Sequence, residues 1–202
     1  MTIKKDKLIN AAIDLFAERD IDKVTMNMIA KKANVSRTDP YHHLDGGKDE
    51  IIDSILEIFD SIIEGSMPRY TEDTEIDAKS VLSNLFLAFS GEDAEKARKI
   101  NRIIFANFGN DARIGKYLSE TFYRKQGIRM TQLFNMLVAK GKLKPFDTDS
   151  AARILNRIFI AYALEDSINY PFENDGYEKF IEGIKTDCAA VINSILDGRF
   201  HV

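Results

Sequence analysis

Val24-Thr25-Met26-Asn27-Met28-Ile29-Ala30-Lys31-Lys32-Ala33-Asn34-Val35-Ser36, running on through Arg37 to Leu44, is the stretch from which the fold can be read. Thr25 is a good helix N-cap, because its hydroxyl can accept a bond from a free backbone N–H of the first turn. Met26, Ile29, Ala30 and Ala33 recur at helical spacing and face a core. Asn34 stands where the chain must turn; after glycine, asparagine best tolerates the left-handed conformation that ends a helix. Val35 plugs the angle between two helices. Ser36 is a second N-cap, with Asp39 three residues on as the acidic half of a capping box. Two short capped helices joined by a tight turn make the unit that places its second helix in a DNA major groove.

Outward from this unit the chain stays helical. Residues 6–19 carry Leu8, Ile9, Ala12, Leu15 and Phe16 as an apolar stripe. After Asp45-Gly46-Gly47, a helix from Lys48 to about Glu64 is apolar over a wide arc, which suits contact with both halves of the protein. Further helices are predicted over 76–90, 92–108, from Asp111 to about Lys140, 148–169 and 175–196. Gly141, Pro145 and Pro171 supply breaks. There is no strand pattern. The expectation is an all-α fold of about nine helices: an N-terminal three-helix helix-turn-helix domain over 1–47 and a C-terminal helical bundle over 48–202.

The first sixty residues resemble the DNA-binding end of the tetracycline-repressor (TetR) family. Leu8-Ile9-x-Ala11-Ala12-x-x-Leu15-Phe16 is similar to the family's first helix. Thr25-x-x-x-Ile29-Ala30-x-x-Ala33-Asn34-Val35-Ser36 is similar to its second helix and turn. Tyr41-His42-His43-Leu44 with Gly46-Gly47-Lys48 is similar to the junction of its third and fourth helices. Asn34 stands for the usual glycine and Leu44 for the usual phenylalanine. Thr38-Asp39-Pro40 replaces the family's Gly-Thr-apolar run.

The resemblance implies a ligand-responsive regulator, most simply a repressor, bound as a homodimer to a palindromic double-stranded DNA operator. Thr25, Arg37, Thr38, Asp39, Tyr41, His42 and Lys48 are the expected DNA contacts, with Tyr41 and Lys48 at the phosphate-contacting positions. Asp39 admits three readings: a helix cap, a partner for a cytosine amino group, or a mark of lost DNA binding. If Asp39 caps, Pro40 takes the first helical position, where proline is welcome. If Ser36 caps, Pro40 removes the first backbone bond. The proline favours the first arrangement. The alternative function is a dimeric helical small-molecule-binding or interaction protein that no longer reads an operator.

Phe86, Phe89, Phe105, Phe108, Phe122, Tyr123, Phe134, Phe159 and Tyr162 are candidates to line a pocket for a small, largely apolar effector. Asn101, Asn107, Gln132 and Asn156 are its candidate polar groups. Ile154, Leu155, Ile158, Phe180, Ile184, Cys188, Val191 and Ile195 stripe the last two helices, which the family pairs across a two-fold axis.

Composition bounds the remaining classes. The net charge is −4, and residues 1–50 hold nine basic and nine acidic side chains, so any DNA contact rests on local placement such as the cluster Lys4, Lys5 and Lys7. The single cysteine, Cys188, cannot form an internal disulfide, and the N-terminus lacks a signal-peptide core, which points to the cytoplasm. No run is apolar enough for a membrane span. His42-His43 point apart on a helix and have no ligand partner at metal spacing. No nucleophile–base set or phosphate-cradling glycine loop supports an enzyme, and no cofactor is implied.

Overall fold

The structure, a computed structural model, describes residues 3–66, 77–78, 93–171 and 176–200. Among these every regular element is helical. Helix α1 (Ile3–Glu18) is followed by a single 3-10 turn (Ile21–Lys23), then α2 (Met26–Lys32), α3 (Asp39–His43) and α4 (Gly47–Ser66). Beyond them come α5 (Ala94–Asn107), α6 (Ala112–Tyr117), a π-helical segment (Leu118–Lys125), α7 (Gln126–Ala139), α8 (Thr148–Asn169) and α9 (Gly176–Leu196). The helix expected over 76–90, with Phe86 and Phe89, lies outside the described residues. None of the described helices is long and apolar enough to cross a membrane.

Local chemistry sets the boundaries. Thr25 Oγ1 accepts from Met28 N at 3.2 Å, so α2 starts where its cap predicts. Asn34 takes a φ of +53°. Val35 N then reaches Ala30 O at 3.1 Å and Asn34 N reaches Lys31 O at 3.2 Å, the two bonds of a Schellman ending. Asp111 caps α6 by accepting from Arg113 N and Ile114 N, and Asp147 caps α8 by accepting from Ser150 N at 3.0 Å. Gly141, at φ +65°, ends α7. The helix expected without interruption from Asp111 to Lys140 contains the π-helical segment. Its carbonyls at Phe122 and Tyr123 are met by Asn156 Nδ2 at 3.4 and 3.0 Å. Apolar periodicity over that stretch gives no sign of the extra residue per turn.

Two cores hold the molecule. One runs from α1 through Ile29 and Leu44 to Ile51, Ile55 and Phe59 of α4, and on to Ile100, Ile103 and Ile104 of α5. The helix-turn-helix therefore shares apolar packing with the first helices of the body. The other joins Phe134 and Leu137 of α7, Leu155 of α8 and Phe180, Ile184, Cys188, Ile192 and Ile195 of α9.

That second core changes the reading of the last two helices. Leu155, Phe180, Ile184, Cys188 and Ile195 are buried within one protomer, so they cannot also face a second copy. Burial pushes the Cys188 thiol up to about 12. Ile158 and Val191 are half-buried against the same core, and Ile154 stands at its exposed edge. The stripe is the inward face of α9. The apolar side chains left outside are Ile154, Leu164 and Ile168 of α8, the last 68% exposed.

Candidate nucleic-acid interface

Helix α3 is five residues long, and its start is tightly held. Ser36 Oγ accepts from Asp39 N at 3.2 Å, and Asp39 Oδ2 accepts from Ser36 N at 2.8 Å. This is a reciprocal capping box, with Ser36 as the cap. Asp39, preferred as the cap from sequence, is instead its acidic partner. Pro40 falls where the first intrahelical bond would have formed, and Ser36 O receives Asp39 N at 3.1 Å in its place. Proline costs little here because that tighter turn has already used the carbonyl.

The carboxylate of Asp39 faces inward. Asp39 is 8% exposed, and Lys4 Nζ of α1 donates to its Oδ1 at 2.9 Å. The Lys4 ammonium and the Ser36 N–H hold its carboxyl down at about 2. All of these contacts draw it into the protein, so the cap accounts for Asp39 and the cytosine contact has no geometric support. Of the basic cluster Lys4, Lys5 and Lys7, Lys4 and Lys5 (the latter paired with Glu50) tie α1 to α3 and α4. Glu50 also accepts from Gly46 N at 3.0 Å, and Lys5 first and this N–H second lower its carboxyl below the usual range.

Lys48 also turns inward. Its ammonium donates to Ile21 O at 2.8 Å and Asp22 O at 3.4 Å, fixing the turn between α1 and α2. What its position offers an anion is the first turn of α4, whose N–H groups have no intrahelical acceptor. Gly47, at φ +60°, sets the angle at which that turn begins.

The outward face is then clear. Tyr41 is 64% exposed, while Pro40 and Leu44, on the other side of α3, are buried. Arg37, Thr38 and His42 are exposed beside Tyr41, and Thr25 is exposed at the start of α2. Arg37 Nε donates to Asn27 Oδ1 at 3.4 Å, and the Ser36 and Thr38 hydroxyls lie 3.0 Å apart. Thr25, Arg37, Thr38, Tyr41 and His42 are thus all exposed on the pair α2–α3, where Asn27 holds Arg37. Asn27 was missed from sequence; its signal is a polar residue on α2 facing away from the stripe of Ile29 and Ala30.

Residues 8–55 match the model of the bacterial regulatory proteins of the tetR family. The N-terminal head of this chain is a TetR-type helix-turn-helix. It is similar to IcaR of Staphylococcus epidermidis, described as a negative transcriptional regulator of the biofilm operon icaADBC. The match is 30% identical over 73 residues, covering 36% of this chain and 40% of that protein. The IcaR of Staphylococcus aureus is 39% identical over 56 residues, or 28% of this chain and 30% of that protein. The chain thus spans less than half the length of these curated relatives, and the shared part is the head. The likeness in fold extends further. FadR of Bacillus halodurans, a fatty acid degradation regulator, superposes with a TM-score of 0.68 at 17% identity, over 100% of this chain and 99% of that one. GusR of Salmonella enterica superposes with a TM-score of 0.64 at 19% identity, over 94% and 95%.

Among the described residues, the aromatics that are candidates for a pocket do not form one group. Phe105 and Phe122 lie against the first core, with ring centroids 6.2 Å apart, and Phe122 stacks on Phe59 at 5.8 Å. Phe134, fully buried, meets Phe146 in the second core, where Phe159 and Tyr162 also pack. Tyr162 donates to Asp187 Oδ2 at 2.6 Å. Phe108 is exposed, and Tyr123 lines an open groove of about 320 Å³ beside Gln132.

Proposed function

We propose that this chain is a DNA-binding transcriptional regulator, acting as a repressor in the cytoplasm. It would bind a palindromic operator as a homodimer and release it on binding a small effector. The carrying observation is the outward face of α3: Arg37, Thr38, Tyr41 and His42 presented by a reciprocally capped helix on a TetR-type head. The description of IcaR as a negative regulator favours repression. Arg37 and His42 suit base edges, while the Tyr41 hydroxyl and the start of α4 suit phosphates. Two such heads would sit one helical turn apart on DNA, roughly 34–36 Å between α3 helices. The outer face of α8, with Ile154, Leu164 and Ile168, offers apolar surface for the dimer.

The alternative, a helical binding protein that no longer reads DNA, drew on Thr38-Asp39-Pro40. With Asp39 in the cap and Pro40 buried, that sequence builds α3 rather than breaking it.

Fluorescence anisotropy with DNA from upstream of the protein's own gene, across a salt series, tests the proposal. The expected result is binding that resists unrelated competitor DNA and weakens with salt by a few phosphate contacts. Binding that is weak and equal for all DNA, with Asp39-Pro40→Thr-Leu creating specific binding, would establish the alternative instead.

A further inference from the structure

Two buried amides in the body carry polar atoms with no hydrogen-bond partner among the described residues: Oδ1 of Asn101 and both Oε1 and Nε2 of Gln126. Asn101 is 5% exposed and Gln126 9%. A buried polar group left unpaired loses its bonds to water without replacing them, so native proteins rarely keep one without a reason. The other interior amide nearby, Asn156, is spent on Phe122 O and Tyr123 O.

Each unpaired amide lies one helical turn in sequence from one member of a ring pair. Asn101 lies one turn before Phe105 on α5, and Gln126 one turn after Phe122, where the π-helical segment gives way to α7. The Phe105 and Phe122 rings meet edge to face, with Phe59 stacked behind Phe122. A π-helical segment re-aims side chains at its ends, and such segments recur at functional sites. Among the charges of these elements, Asp60 pairs with Tyr117 and Lys125 and Glu64 with Arg129 and Lys125, whereas the buried Asp166 takes Arg98 on Oδ1 and has no partner at Oδ2 among the described residues.

We propose that Asn101 and Gln126 bind the polar end of the effector, and that the effector is a largely apolar molecule carrying an amide-type donor–acceptor edge. The primary amide of Gln126 presents one donor and one acceptor side by side, which a lactam or secondary cis-amide answers with two bonds. Asn101 Oδ1 takes a second N–H or O–H of the ligand. The Phe105–Phe122–Phe59 rings receive the apolar body. This proposal rests on the reading of the chain as an effector-responsive regulator, and names the chemistry of the effector.

The test uses oxindole as an aromatic lactam, N-methyloxindole, which lacks the N–H, and indane, which lacks both polar groups. Binding to the full chain without DNA is measured by ligand-observed NMR and calorimetry, for wild type, Gln126→Met and Asn101→Leu. Both substitutions replace an unpaired amide by an apolar group of similar shape, so the variants should stay folded; circular dichroism checks this. Oxindole is expected to bind wild type at least tenfold more tightly than N-methyloxindole or indane. Gln126→Met should erase that preference while leaving indane binding unchanged. Equal affinity for the three probes in wild type, or an unchanged oxindole preference in Gln126→Met, overturns the proposal. Operator release is measured separately. If the Gln126-dependent preference is present but bound oxindole leaves operator affinity unchanged, the binding site stands and the effector-responsive reading fails.

Discussion

Tyr41 and Asp39 lie two residues apart on α3 and do opposite jobs. The Tyr41 ring is largely in solvent, so its hydroxyl can be removed without touching the core. Tyr41→Phe is expected to weaken operator binding roughly three- to tenfold, about one hydrogen bond, with no change in melting temperature; unchanged affinity would show that the hydroxyl makes no phosphate contact. Asp39 belongs to the protein. Its carboxyl is held at about 2 by Lys4 and the Ser36 N–H, against about 3.9 in an unfolded chain. Because the folded value is the lower, the stabilisation is complete above pH ~4 and drains away as pH falls toward 2. Melting curves across pH should therefore show Asp39→Asn below wild type at pH 6, with the gap closing between pH 4 and 2. A gap that persists to pH 2 would mean that packing, not the charge, matters there. The inward turn of Asp39 was only half legible in the sequence: Ser36-x-x-Asp39 announces a capping box, but the Lys4 partner 35 residues away does not.

At the scale of elements, most helix boundaries were readable because each is set by one local residue. Thr25, Asn34, Asp111 and Gly141 cap or turn as their chemistry requires. Asn34 allows a test of that claim. Its φ of +53° penalises a residue with an ordinary Cβ. Asn34→Ala is expected to lower stability by about 1 kcal/mol, and Asn34→Gly to leave it unchanged or slightly raised. Urea unfolding distinguishes the two; equal losses would show that the asparagine side chain matters, not the backbone angle. Two features were not readable. The π-helical segment depends on an amide arriving from α8, a contact that no periodicity encodes. The assignment of the α9 stripe to the protomer's own core depends on what packs opposite it, and an amphipathic pattern records only that one face is covered.

At the scale of the whole molecule, Arg102 joins head and body. Its Nε donates to Ala17 O at 2.8 Å, in the last turn of α1, and its NH1 to Ser167 O at 2.6 Å, near the end of α8. One cation thus serves the negative ends of two helices, one from the DNA-binding head and one from the body. Lys99, one turn earlier on α5, adds an ion pair to Asp14 of α1 at 2.8 Å. Arg102 therefore ties α8 to α1 from α5 by a group with fixed geometry, and α1 carries Lys4 to the start of α3. Arg102→Met keeps most of the aliphatic stem and removes both bonds, at an expected cost of about 2 kcal/mol. The informative readout is local. By hydrogen exchange, amides near the end of α1 should lose protection while those of α7, in the other core, keep theirs. The variant should still bind operator DNA but respond less to any ligand that releases the wild type. Protection lost evenly across both cores would show that Arg102 only adds stability and does not link the head specifically to the body.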